Sequence, residues 1–346
     1  MTTWSHMAKT AFANAVLKKP SPLLLLLEPS EKCNATCPFC YHWREQPDGD
    51  ELTLDEIAVV LEDAWELGCR VFYLSGGEPT IHPKLFEILV IARRIGYSTT
   101  LTTNGSRLAK VLPAISPLLD GVTVSLDYAG PRQDQLRGIG GLFDDAVAGL
   151  KLAKTLQVNA RINMSLYPAN RDQVPGLLEL AEQVGGGLHV RLMTRESKEL
   201  DITTLSVEEA VEAARELLVL KKRNSRLLTP ATYFQYIEQQ RKFSCRLLSL
   251  LVTIDSSGRV YAPCPKYEGT KEKIAGSVRE HRLASIWHSD AAAGLRQESA
   301  ICTPSLDCYT SCILDISLLA GLSPDMLFEQ LSSDSSLLSY FRKRMS

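Results

Sequence analysis

An excess of charge of either sign is missing from this sequence. Its 346 residues carry 38 Lys and Arg against 40 Asp and Glu, a formal net charge of −2. With no basic stripe either, a nucleic-acid partner is disfavoured. A long apolar run is also missing. Residues 23–27 are leucines, but Glu28 and Pro29 follow at once. Such a run cannot span a bilayer, and no small-residue cleavage site follows it, so no membrane association and a cytoplasmic location are expected. No internal repeat or low-complexity tract stands out. Hydrophobic residues make up 45% and charged residues 23%, which is ordinary globular composition. A complete disulfide framework is excluded by arithmetic, because the nine cysteines are an odd number. In a reducing compartment they are thiols available to metal.

What is present is an alternation of short apolar strands and amphipathic helices. Strands are predicted at 23–27, 70–74, 98–102, 122–126, 159–166 and 188–193. Helices are predicted from Thr53, at 83–94, 108–115, 142–156, 174–184 and 207–222. Thr53 with Glu56 three residues later reads as a capping box. Six such β/α units imply a parallel sheet with right-handed crossovers, an α/β partial (β/α)6 TIM-like barrel rather than a complete eight-unit one. The rhythm then breaks. Residues 250–262 read as a hairpin turning at Gly258. The expected organisation is a lead-in over 1–22 with a short helix near 9–18, a barrel over 23–235, a small domain over 240–320, and a helical segment over 323–346.

Eight of the nine cysteines fall into two groups. Cys33, Cys37 and Cys40 have the spacing C-x3-C-x2-C directly after the first strand. Three thiolates so close together suit a soft metal: a tetrahedral zinc with one open position, or an iron–sulfur cube with one open iron. Spacing alone does not choose. At the end of the second strand stands Ser75-Gly76-Gly77-Glu78-Pro79, whose glycines permit a close backbone approach. Asn104 follows the third strand, Ser125 and Asp127 close the fourth, and Asn163 lies on the fifth. Functional residues gather at such strand ends. Cys69, alone between the groups, reads as a small buried hydrophobe.

The C-x3-C-x2-C loop with Phe39 before its third cysteine, followed by SGGEP and six β/α units, resembles the radical S-adenosylmethionine enzymes over residues 20–225. The resemblance implies that Cys33, Cys37 and Cys40 hold a [4Fe–4S] cluster whose fourth iron is chelated by S-adenosylmethionine. It implies that Gly76 and Gly77 lie against the methionine part of that cofactor and that Glu78 holds its ammonium. Ser125 resembles a ribose-contacting position, and Asn104 and Asn163 are further cofactor candidates. Tyr41 and His42 stand next to the cluster loop. A low-potential cube delivers one electron to the sulfonium, giving a 5′-deoxyadenosyl radical that abstracts hydrogen from unactivated carbon. A flavodoxin- or ferredoxin-like protein is the expected electron donor.

The second group, Cys245, Cys264, Cys302, Cys308 and Cys312, has the form C-x12-G-x5-C followed by C-x5-C-x3-C. It resembles the auxiliary-cluster domains of SPASM and Twitch radical enzymes. It departs from the full SPASM pattern: the second glycine spacing is longer by one, Ser299 stands at a cysteine position, and no cysteine follows Cys312. One auxiliary [4Fe–4S] cluster is the better count, with Cys245 and Cys264 as ligands and two more among Cys302, Cys308 and Cys312. The passage 125–150 resembles the same loop and helix in that subclass. Arg132, Arg137 and Arg191 are candidates to hold a substrate carboxylate or phosphate. About 22 residues precede the first strand, too few for the peptide-recognition domain common in peptide-modifying relatives. The expected reaction is therefore oxidation, epimerisation or rearrangement of a small metabolite. The alternatives are a ribosomal-peptide maturase forming a thioether or carbon–carbon cross-link, and a non-enzymatic iron–sulfur scaffold or electron carrier.

Overall fold

The structure is a computed structural model that describes residues 19–40, 42–44, 49–194, 202–263 and 273–301, with Thr10, Ala13, Asn14 and Leu17 before them. Most of the lead-in helix near 9–18, and the helical segment 323–346, lie outside the described residues.

Nine strands form one sheet in the order β6-β5-β4-β3-β2-β1-β7-β8-β9. They are β1 (Leu24–Leu27), β2 (Val71–Leu74), β3 (Ser98–Thr103), β4 (Gly121–Ser125), β5 (Asn159–Leu166), β6 (Gly187–Leu192), β7 (Leu251–Ile254), β8 (Arg259–Tyr261) and β9 (Ile274–Ser277). The first six pair in parallel, each with the next, as the alternation requires. They make the open, unclosed barrel expected from six β/α units. What periodicity does not reveal is the fate of the hairpin. β7 pairs in parallel with β1, Leu24 beside Leu251 and Leu27 beside Ile254. β8 and β9 then add in antiparallel fashion. The region after 240 thus begins inside the barrel's own sheet, because the all-leucine β1 offers a second edge to pair.

Each central strand has two faces of different chemistry. Phe72, Leu74, Leu101, Val122, Val124, Ile162, Met164, Leu188 and Val190 point outward into one large core under the helices. Each such side chain contributes about 1.5–3 kcal/mol by burial. The alternate positions, Thr100, Thr102, Thr123, Ser125, Arg161, Asn163, His189 and Arg191, are only half-buried and line the inner face. A period of two in the strands therefore builds a dry shell and a polar interior from the same segments.

The helices follow their local signals. Thr53 Oγ1 accepts from Glu56 N at 3.2 Å while Glu56 Oε2 accepts from Thr53 N at 2.7 Å, opening Leu54–Leu67. Ser206 and Glu209 repeat the box at Val207–Arg223. The outer edge of β6 is covered by residues 226–229, with Leu188 N donating to Arg226 O and Leu228 N donating to Leu188 O, both at 2.7 Å. Among the described residues, five helices were not evident from periodicity: Arg132–Arg137, Ala231–Glu238, Leu247–Leu250, Leu283–Trp287 and Asp290–Ile301. The helix 108–115 and the strand 159–166 agree with the sequence to the residue. No helix among the described residues is long and apolar enough to cross a membrane.

The last described helices are fastened to the barrel through Asp63. This buried carboxylate of Leu54–Leu67 accepts from Arg282 Nε at 2.8 Å, from Arg282 Nη2, and from Leu283 N at 3.1 Å. Replacing Asp63 by alanine leaves a buried N–H without its acceptor and should lower stability by about 1–3 kcal/mol. Asp63→Asn, which keeps one carbonyl acceptor, should lose less. Urea denaturation of the two variants against the parent measures the order.

Candidate active site at the barrel mouth

The loop after β1 carries Cys33, Cys37 and Cys40, all free thiols, with Cys37 buried and the other two half-buried. Burial pushes all three thiols upward, and Cys40 to about 12. Arg137 opposes that shift at each of them. Its Nη1 lies 3.6 Å from Cys37 Sγ, its Nη2 donates to Asp127 Oδ2 at 2.6 Å, and its Nε is buried without a partner. Three clustered thiols, an adjacent buried guanidinium and an orphaned N–H fit an anionic thiolate-held cluster. Metal coordination deprotonates such thiols outright, and the spare N–H has a sulfur acceptor to meet.

The helix Arg132–Arg137 is what brings the cation there. Thr36 N donates to Arg137 O at 2.9 Å. Gly138, with φ +69°, ends the helix where a Cβ would come within 2.2 Å of Thr36 Oγ1. Gln133, fully buried, holds the end of β4, accepting from Asp127 N and Tyr128 N and donating to Ser125 O. Arg137 is thus committed to Asp127 and the thiols and is not available for a substrate anion, a correction to the sequence expectation. Arg132 stacks on Tyr128, 4.4 Å from the ring centroid.

Gly76 and Gly77 pack tightly against the backbone that leads into the thiols. A Cβ on Gly77 would lie 2.1 Å from Lys32 O, and one on Gly76, where φ is +106°, 2.7 Å from Ser30 O. Gly77 N donates to Ser30 O and Glu78 N to Lys32 O, both at 2.9 Å. In the described contacts these glycines let the loop press against the backbone leading into the thiols. Glu78 is tied to the elements on either side of it. Its carboxylate is buried and takes four hydrogen bonds: Oε1 from Thr80 N at 3.0 Å, Thr80 Oγ1 at 2.5 Å and Thr103 Oγ1 at 2.6 Å, and Oε2 from Asn104 N at 2.7 Å. This side chain joins the turn after β2 to the end of β3. Asn104 continues the tie, donating from Nδ2 to Asn34 Oδ1 at 2.9 Å and accepting from Ser106 N.

Ser125 and Asn163 stand side by side in register on the inner face. His42 Nδ1 lies 2.6 Å from Glu31 Oε2, and its Nε2 3.7 Å from Glu28 Oε1, which ties the end of the thiol loop to its start. Cys69 is fully buried, its Sγ 3.6 Å from Leu24 O, as a core residue. Cys245 is half-buried, and its carbonyl accepts from Ser299 Oγ at 3.1 Å. Cys264, Cys302, Cys308, Cys312 and Tyr41 lie outside the described residues. Sequence reasoning missed the Asp127–Arg137 pair and Gln133. The only sequence signal was a polar run, 127–137, closing on Gly138.

Comparison with known families agrees with this arrangement. Residues 27–181 match the model of the radical SAM superfamily, and residues 245–312 match that of the SPASM iron–sulfur cluster-binding domain. The chain is a radical SAM protein of the SPASM type. It is 25% identical to an Fe-coproporphyrin III synthase of Methanosarcina barkeri, over 85% of this chain and 81% of that one. It is 29% identical to a PqqA peptide cyclase of Methylobacterium nodulans, over 84% and 79%. Streptococcus suis SuiB bound to S-adenosylmethionine shares the fold with a TM-score of 0.67 at 19% identity, over 84% of this chain and 71% of that one. The cofactors of this family are S-adenosylmethionine, a [4Fe–4S] cluster at the barrel mouth, and auxiliary iron–sulfur clusters in the SPASM region.

Glu78→Gln puts an NH2 group among donors. It should cost on the order of 2 kcal/mol and weaken S-adenosylmethionine binding at least tenfold by displacing the loop. Denaturation and equilibrium dialysis measure the two effects; unchanged values for both would mean that the four hydrogen bonds do not hold this loop.

Proposed function

We propose that this protein cleaves S-adenosylmethionine reductively and uses the resulting radical to abstract a hydrogen atom from a small metabolite inside the open barrel, oxidising, epimerising or rearranging it. The observation that carries this reading is the interlock of the thiol loop with the Gly76–Glu78 loop above a polar interior. Cys33, Cys37 and Cys40 would hold the cluster, with Arg137 balancing its charge. Ser125 and Asn163, adjacent on the inner face, would bind the cofactor, and Asn104 would fix the loop beside it. Held there, the cluster would supply the electron for reductive cleavage of S-adenosylmethionine. The barrel's part is to keep that radical away from water while a substrate C–H is presented to it.

In this reading the region 240–320 forms an auxiliary domain with one [4Fe–4S] cluster held by Cys245, Cys264 and two of Cys302, Cys308 and Cys312. It would accept the electron left on the substrate. A flavodoxin- or ferredoxin-like donor would reduce the first cluster. A second reading, maturation of a ribosomal peptide, is favoured by the likeness to PqqA peptide cyclases over most of both chains.

Anaerobic reconstitution tests the reading. The parent should hold about eight irons, four per cube, and form 5′-deoxyadenosine under dithionite. Replacing Cys33, Cys37 and Cys40 with alanine should remove about four irons and all 5′-deoxyadenosine. A full iron complement in the parent without any cofactor cleavage would instead favour a scaffold or electron carrier.

A further inference from the structure

The seven parallel strands contain no Asp or Glu, and their only Arg, Lys or His residues are Arg161 on β5 and His189 and Arg191 on β6. All three lie on the inner face, opposite the core positions Ile162, Leu188 and Val190. Register places Asn163 beside His189 and Ser165 beside Arg191. Arg161 is two residues before Asn163, so it stands diagonally from His189. Residues two apart on one strand share a face about 7 Å apart.

None of the three makes a hydrogen bond or ion pair among the described residues. Other arginines have acidic partners: Arg137 has Asp127, Arg171 has Glu212 and Glu216, and Arg259 has Asp255. Arg161 lies deep in the barrel, still reached by solvent from inside, and burial lowers its pKa from the usual arginine value. His189 is pushed down to about 4 by burial and by Arg161, Arg191 and Lys221. Holding two guanidiniums and a histidine together without a counter-charge is costly. A fold that retains them has an anion to meet.

We propose that Arg161, His189 and Arg191 form an oxyanion site that anchors a carboxylate or phosphate of the substrate. Guanidinium pairs suit either group, since each presents a planar fork of donors. The sheet order puts β5 and β6 four and five strands from β1, which carries the thiol loop. The anionic end of the substrate is therefore held on the wall away from that loop, leaving the rest of the molecule to extend toward it. The inference rests on reading the barrel interior as the substrate cleft.

The test uses reconstituted protein saturated with S-adenosylmethionine, titrated with inorganic phosphate and with succinate, and with succinamide as the uncharged control. Calorimetry gives the Kd, and the His189 ring protons give its pKa by NMR. At least one of the two anions should bind and raise the His189 pKa, and succinamide should do neither. Phosphate binding alone assigns a phosphorylated substrate, and succinate binding alone a carboxylate. Arg161→Met and Arg191→Gln should each weaken the anion at least tenfold, while the exposed control Arg94→Gln leaves it unchanged. Cofactor affinity should stay within twofold in all three. Arg161→Met should also melt higher than the parent, because it removes an unmatched buried cation; a lower melting temperature would make Arg161 structural and overturn its place in the site. Parental anion affinity in both variants, or no anion binding to the parent, sinks the proposal. So does a parallel loss of cofactor affinity, since the cations would then serve the carboxylate of S-adenosylmethionine. Failure of the parent to cleave S-adenosylmethionine would overturn the functional reading alone, because anion binding is read separately.

Discussion

Gly77 sits so close to Lys32 that no side chain fits between them, and on this contact the barrel mouth is built. A cysteine loop is too short and too polar to hold its own shape. Here its leading backbone is pinned from one side by two amide donors of the glycine loop. From the other side the carbonyl of Arg137 takes the amide of Thr36. Glu78, held by Thr80 after β2 and by Thr103 and Asn104 at the end of β3, keeps the glycine loop itself from shifting. These contacts offset part of the entropy lost when the thiol loop is ordered.

The electrostatics of the barrel follow from the same economy of strands. Most outward positions are aliphatic and meet the helices, and the charged groups that the parallel strands carry face inward. On β3 and β4 these are hydroxyls of Thr and Ser, neutral and undemanding. On β5 and β6 they are two arginines and a histidine. The charge of the interior is therefore graded across the sheet, with thiols and their paired guanidinium at one end and unmatched cations at the other. The near-neutral net charge of the chain conceals this gradient.

The hairpin illustrates how a sheet edge is used. An open barrel of six strands has two free edges. At β6 the edge is covered by residues 226–229, and at β1 by β7, which carries the sheet on into β8 and β9. Asp63, through Arg282 and Leu283, then fastens the following helices to the helix behind β1. Cys245 enters the structure just before β7. The start of the SPASM match is thus physically continuous with the strand that bears the first thiol loop.

Period-two and period-3.6 patterns, with a capping box at Thr53, determined the six β/α units, because each is a local property of consecutive residues. The spacing of Cys33, Cys37 and Cys40 and the following SGGEP determined the family for the same reason: a metal-binding loop is written in a few adjacent positions. Only the tertiary structure decided what those residues touch. That Glu78 turns inward to Thr103 and Asn104, that Gly77 packs against Lys32, and that Arg137 reaches the thiols depend on contacts across 26, 45 and 100 positions of chain. The pairing of β7 with β1 joins segments more than 200 residues apart. The lone cations of β5 and β6 were visible as letters, but their lack of partners was not, since it is a property of everything packed around them.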